Sequence, residues 1–157
     1  MLETFGRNSE IPMTTKTPLR DHQTEAEQAI TAEFRTTNRT TLVMPCGTGK
    51  TLVGAAIGAE WREVLLLFPS ISLIRQTLDV WRAEGVTNDR RLLVVCSDKQ
   101  AADSDDVMVT EQELGCHITT SIEEVREFFE RPENCLVLTT YHSTPLVAEA
   151  LPPGYQF

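Results

Sequence analysis

Residues 44–51 read MPCGTGKT, and two glycines, a lysine and a threonine at this spacing can hold a phosphate. Backbone N–H groups of a tight loop converge on phosphate oxygens. Gly47 and Gly49 leave room for that approach, because a Cβ there would crowd the ligand. Lys50 would reach the β- and γ-phosphates of a nucleotide, and the Thr51 hydroxyl would ligate Mg²⁺. Pro45, Cys46 and Thr48 complete the loop. The full pattern, GxxxxGK[ST], asks for glycine where Met44 stands, so the departure falls at the loop's entrance rather than at its cradle. A bare glycine turn with an exposed lysine is the alternative for the same residues. A phosphate loop by itself says only "nucleotide", since kinases, GTPases, transporters and motors share it.

Such a loop must join a strand to a helix, and its flanks predict both. TLVM (41–44) reads as a short buried strand and KTLVGAAIGAEW (50–61) as a small-residue helix. Upstream, residues 17–34 read as a helix with Thr17 as N-cap and Pro18 in the first helical position. Leu19, Ala26, Ile30 and Phe34 share one of its faces, and TTNRT ends it. Downstream, VLLLF (64–68) is the continuous apolar run of a strand buried on both faces. Ser70 caps a helix in which Ile71, Ile74, Leu78 and Trp81 keep helical spacing until Gly85. LLVVCS (92–97) and CLVLTT (135–140) are further strands. Ser121 and Glu124 open another helix in capping-box register, and PLVAEA is a short one. The acidic stretch 98–113 reads as a solvated loop, and residues 1–16 as a loose polar arm before a domain over 17–157. Strands alternating with helices argue an α/β fold with a parallel sheet covered on both faces.

A chain of 157 residues is long enough for one domain with a real core. Residues 1–50 carry six basic and six acidic side chains, and residues 51–157 carry eight and seventeen. The net charge of -9 therefore resides in the second part, which argues against a bulk polyanion binder. Four cysteines, at 46, 96, 116 and 135, form no CxxC pair, so neither zinc nor a disulfide framework is expected. That usage suits a reducing compartment. With no membrane-length apolar stretch, the expectation is a soluble cytoplasmic chain that does not enter a membrane.

The phosphate loop and three further stretches together resemble superfamily 2 helicases and translocases, especially the branch related to type I and type III restriction enzymes. LRDHQTEA resembles the family's LRxxQ element, whose glutamine reads the adenine edge. LLLFPSISLIRQTLDVW resembles motif Ia. CLVLTTYHS resembles the TTYQS strand end that contacts the nucleic-acid backbone. The four stretches stand in family order over residues 18–143. The resemblance implies a P-loop NTPase fold of RecA-like kind, three layers αβα around a mainly parallel sheet, with ATP and Mg²⁺ as cofactors. It places Gln23, Pro45, Cys46, Gly47, Thr48, Gly49, Lys50 and Thr51 at the nucleotide, with Thr51 also the metal ligand. It places Ser70 and Thr140 on a nucleic-acid backbone, DNA rather than RNA. Arg20, Gln76 and His142 also have plain surface readings, and Ser70 serves equally as a helix cap.

In that family the lobe continues into a strand carrying Asp-Glu-x-His, whose aspartate holds Mg²⁺ and whose glutamate positions the attacking water. A second RecA-like lobe supplies an arginine finger. No Asp-Glu pair follows an apolar strand in this sequence. The expectation is a partial N-terminal lobe, ending before that strand, that binds ATP and is inactive in hydrolysis on its own. It would need the C-terminal lobe or a partner chain supplying it. Two other readings fit a phosphate loop: a regulatory or assembly module that keeps the fold without turnover, and a small nucleotide kinase. The kinase would require an arginine-bearing lid after the core strands, and residues 98–134 show none.

Overall fold

Apolar runs build most of the sheet, and the most apolar surroundings fall to its central strand. A computed structural model describes residues 16–96, 110–131 and 133–155. Along them run α1 (Asp21–Glu33), α2 (Lys50–Ala59), β1 (Glu63–Phe68), α3 (Ile71–Ala83), β2 (Arg91–Val95), α4 (Glu111–Leu114), β3 (His117–Thr119), α5 (Ile122–Phe129), β4 (Cys135–Thr140) and α6 (Thr144–Ala150). The chain forms two compact units. Of the described residues, one comprises 16–61 together with Val80–Val86, and the other Arg62–Asp79 with 87–96, 110–131 and 133–155.

The second unit holds a four-stranded sheet in the order β1-β4-β2-β3, parallel at every pairing. β4 is buried at all six positions, as a central parallel strand requires. Leu93 and Val95 of β2 and Cys135 and Val137 of β4 pack with Val125 and Phe129 of α5 and Val147 and Ala150 of α6 in one apolar cluster. Leu136 and Leu138, which alternate to the opposite face, are fully buried as well. Each such side chain contributes about 1.5–3 kcal/mol by leaving water. Burial raises the Cys135 thiol to about 11, so it behaves as a small apolar side chain. All four cysteines are free thiols. Arg91 ties the N-terminal end of β2 to α5. Its Nη2 donates to the carbonyls of Phe128 (2.6 Å) and Arg131 (3.0 Å), its Nε meets Glu133 at 2.8 Å, and its guanidinium lies 4.1 Å over the Phe128 ring.

In the first unit, Gly58 of α2 faces Trp81, which is 2% exposed. A Cβ on Gly58 would come within 2.5 Å of the indole, so this close approach needs glycine. Thr17 donates its N–H and its hydroxyl to the Glu84 carboxylate (2.8 and 2.6 Å), bonds that lower the Glu84 pKa.

Five expectations change. VLLLF is not buried on both faces: as β1 it stands at the end of the described sheet, none of its six positions is fully buried and Leu67 is 42% exposed, because only β4 pairs with it. Residues 41–44 belong to none of the four strands, and Val43 is 88% exposed. A strand exists by its ladder partner, and no described strand pairs with this run. The first helix starts at Asp21 rather than at Pro18. Thr17 spends its hydroxyl on Glu84, and Gln23 instead closes the first turn by accepting from the Arg20 N–H at 2.9 Å. The acidic stretch ends in α4, which Thr110 caps by accepting from the Glu113 N–H at 3.3 Å. β3 is an extra strand that its three residues, His-Ile-Thr, do not announce. The arm up to residue 15, and residues 97–109 of strand end and acidic stretch, lie outside the described residues.

His117, at the start of β3, bridges two carboxylates: Nδ1 meets Glu111 at 2.7 Å and Nε2 meets Glu124 at 2.8 Å. Glu124 therefore leaves its half of the capping box open, while Ser121 Oγ still accepts the Glu124 N–H. The bond to Glu124, and then that to Glu111, raises the His117 pKa above its ordinary 6.5. A raised histidine pKa stabilises the fold fully below the unfolded value and loses that contribution as pH rises through the folded one. Glu111, held down first by the Ile118 N–H, and Glu124, held down first by Thr119 and then by His117, act in the opposite sense. Their contribution is present above 4.5 and is lost as pH falls through their lowered values. The bridge thus contributes its full stability between about 4.5 and 6.5. An NMR titration of the His117 imidazole is expected to show a midpoint above 6.5 that falls in Glu124→Gln. A midpoint at 6.5 in both proteins would contradict the bridge.

Candidate functional site

The phosphate-loop residues come together in the first unit. Gly47 and Gly49 adopt φ of +76° and +84°, a region other residues enter only at a cost. Gly49 is the N-cap of α2 and offers no side-chain cap. The first intrahelical bonds run from the N–H groups of Leu52 and Val53 to the Gly49 carbonyl. The N–H groups of Lys50 and Thr51 thus open the helix without a backbone partner among the described residues. Together with the helix dipole they make an anion-seeking end.

Two side chains close the loop on itself. Lys50 Nζ donates to the carbonyls of Met44 (3.0 Å) and Pro45 (2.9 Å), and the hydroxyl of Thr48 donates to the Pro45 carbonyl at 2.7 Å. An ammonium carries three donors, so one N–H of Lys50 remains for a ligand. Thr51 is half-buried in the first turn of α2, and Cys46 is exposed.

Gln23 is 4% exposed and reaches this loop from α1. Its Nε2 donates to the Thr48 carbonyl at 2.9 Å, while its Oε1 accepts from the Arg20 N–H. A backbone N–H can only donate and a carbonyl can only accept, so these two partners fix which way the amide faces. One N–H on Nε2 and one lone pair on Oε1 are left over. The amide fits against Gly49 so closely that a Cβ there would collide with Nε2. His22 Nε2 lies 3.2 Å from the same Thr48 carbonyl. The TxGK run does not foretell that Thr48 receives two side chains from α1; the adjacency of His22 and Gln23 at a helix start is the only signal.

In the second unit, β1 and β4 end level, with Phe68 paired to Thr140 and the Tyr141 N–H donating to the Phe68 carbonyl at 2.9 Å. Ser70 follows β1 and caps α3, its Oγ accepting from the Leu73 N–H at 3.4 Å. Ser70 and Thr140 thus lie at the same C-terminal sheet edge, where ligands meet parallel sheets. Thr140, however, is 1% exposed. Its hydroxyl donates to Ser143 Oγ (3.3 Å), and its carbonyl accepts from Thr144 Oγ1 (3.1 Å) and the Ser143 N–H. At this strand end the outward side chains are Tyr141 and His142.

Among the described residues no group of three or more His, Cys, Asp or Glu side chains could hold a metal ion. No described helix is long and apolar enough to cross a membrane.

Residues 16–144 match the family described as type III restriction enzyme, res subunit. A probable helicase of African swine fever virus, from the South African tick isolate Pretoriuskop, is 30% identical over 139 residues, covering 86% of this chain and 15% of the relative. Its counterpart in a Kenyan pig isolate is 28% identical over 139 residues, with the same coverage of both chains. The structure of a nuclease-deletion mutant of the Type ISP restriction-modification enzyme LlaGI, in complex with a DNA substrate mimic, superposes with a TM-score of 0.68 at 28% identity. It covers 89% of this chain and 14% of that one. The chain therefore spans about one-seventh of the length of the relatives it matches.

Proposed function

Since this chain belongs to the type III restriction enzyme res-subunit family, with the RecA-like parallel fold of a superfamily 2 helicase, we propose that it is the ATP-binding N-terminal lobe of a DNA helicase or translocase. The observation that carries the reading is the loop geometry: two left-handed glycines, a helix start offering its N–H groups, and an ammonium with a donor to spare. These fit a polyphosphate. Lys50 would bind and orient the β- and γ-phosphates. Mg²⁺, which would neutralise their charge when bound, would enter with the nucleotide and take the Thr51 hydroxyl as its protein ligand. Gln23 would present its remaining donor and acceptor to the adenine edge. Pro45, Cys46, Gly47, Thr48 and Gly49 would form the cradle wall.

Hydrolysis also needs a base to position water and a charge stabiliser on the far side of the γ-phosphate. The sequence offers no Asp-Glu strand for the first, so the isolated chain is proposed to bind ATP without turning it over. A second lobe, on the same or another chain, would complete the site. DNA as the track is supported by the DNA-bound relative, and Ser70 is proposed as a backbone-phosphate contact at the sheet edge.

Competition of ATP and GTP against a fluorescent ATP analogue tests the reading. ATP is expected to win by about tenfold, one good hydrogen-bonded match, and Gln23→Ala is expected to erase the difference. Phosphate release should stay at background with or without single-stranded DNA. Turnover that disappears in Lys50→Ala would show that a catalytic base is present after all.

A further inference from the structure

At the C-terminal ends of β1 and β4, one of the side chains turned outward is the phenol ring of Tyr141. We propose that Tyr141 is a stacking platform for a base of a single nucleic-acid strand crossing this edge. The inference rests on the reading of the chain as a nucleic-acid motor lobe, and it assigns the contact at this strand end to a residue other than the threonine that the motif suggests.

Three observations carry it. The threonines before Tyr141 are engaged inward: Thr139 Oγ1 donates to the Val95 carbonyl at 2.9 Å, and the hydroxyl of Thr140 is spent on Ser143. Both are buried. Tyr141 itself is 59% exposed, yet its backbone is pinned through its N–H to Phe68 and by the turn into α6. The ring therefore projects from a fixed base, and docking a nucleobase on it orders little besides the strand. Finally, among the described residues of this unit the large apolar side chains left exposed are Tyr141, Leu67 near the end of β1 (42%) and Leu73 in the first turn of α3 (40%). All three come from the segments that meet at this edge.

Charge explains why stacking has to contribute here. Residues 62–79 and 87–157, which make up this unit, carry fifteen acidic side chains against seven basic ones, so counterion release alone gives it a weak hold on phosphates. Base–aromatic stacking tolerates any sequence, since every base presents a π-face. A strand held in this way would be bound without base readout, as a stepping motor requires.

The chain has two tyrosines, which makes the test direct. Tyr155 packs against Phe129 with ring centroids 5.2 Å apart and serves as an internal reference. The 157-residue chain, labelled with 3-fluorotyrosine, is titrated at low salt with an oligo-dT and with an abasic oligonucleotide of equal length, followed by ¹⁹F NMR and anisotropy. The Tyr141 resonance, identified by its loss in Tyr141→Phe, is expected to shift saturably with oligo-dT while that of Tyr155 stays still. Tyr141→Ala is expected to weaken oligo-dT binding about tenfold and to leave abasic binding unchanged, and Tyr141→Phe is expected to retain affinity. Equal oligo-dT affinity in Tyr141→Ala, with the wild-type Tyr141 signal unmoved, would overturn the stacking role and leave the nucleic-acid reading standing. Failure of both oligonucleotides to bind at any salt would remove that reading and this inference together.

Discussion

Lys50→Ala is expected to lower the affinity for Mg·ATP by about 30-fold or more. A charge-assisted hydrogen bond to a phosphate is worth roughly 1.5–3 kcal/mol, and about 2 kcal/mol within that range is a factor of about 30. The lysine also holds its own loop, through the carbonyls of Met44 and Pro45. Alanine would remove the ligand's partner and loosen the cradle in one step. Isothermal titration of ATP into wild type, Lys50→Ala and Lys50→Arg separates the two effects. Arginine keeps a charge and donors but cannot reproduce the compact three-donor geometry of the ammonium, so it should recover a part of the loss. Circular dichroism should show all three proteins folded. Wild-type affinity in Lys50→Ala would mean that the loop is a glycine turn carrying an ordinary surface lysine.

The second large effect is on stability. Gly49→Ala is expected to cost about 3 kcal/mol, and Gly47→Ala only about 1. Both glycines sit at positive φ, where a Cβ costs roughly 1–2 kcal/mol. They differ in their surroundings. Around Gly47 a Cβ would find open space, whereas at Gly49 it would displace the Gln23 amide. Gln23 would then lose its bonds to Thr48 and Arg20, each worth about 1 kcal/mol. For a domain of this length, 3 kcal/mol corresponds to a fall in Tm of roughly 10 °C. A double-mutant cycle isolates the clash: in a Gln23→Ala background, Gly49→Ala should cost no more than Gly47→Ala does in wild type. Equal costs of Gly49→Ala in both backgrounds would show that Gln23 does not pack against the loop.

The elements that can be read from sequence here are those with a local cause. LLVV and CLVLTT become β2 and β4, inside the described sheet, because uninterrupted apolar runs are satisfied by burial on both faces; VLLLF becomes β1 at the end of the order, only partly buried. Ser70 and Ser121 mark helix starts because each hydroxyl finds an N–H three residues on. Expectations change where a distant partner decides. Thr17 has the chemistry of an N-cap, but Glu84, 67 residues away, takes its hydroxyl. Residues 41–44 have the composition of a strand and lack a described neighbour to pair with. β3 contains a single aliphatic side chain, and it forms because β2 offers its edge. At the candidate site, Lys50 and the two glycines are legible because phosphate chemistry dictates both residue type and spacing. The inward turn of Thr140 is not, because which of three consecutive polar or aromatic side chains faces out depends on the hydroxyl of Ser143.

The strand order β1-β4-β2-β3 has a consequence for biosynthesis. β4, the last of the four strands to leave the ribosome, sits between β1 and β2 and pairs with both. At 5–20 residues per second, the interval between completing Phe68 and completing Thr140 is about 4–14 s. Through that interval nascent β1, and from Val95 onward β2 as well, have no central strand to join, and their leucines and valines remain available to chaperones or to other nascent chains. The sheet can close only after translation has passed Thr140. Slowing elongation between these two points, by clusters of rare codons, should therefore lower soluble yield, whereas the same codons placed beyond Thr140 should have little effect.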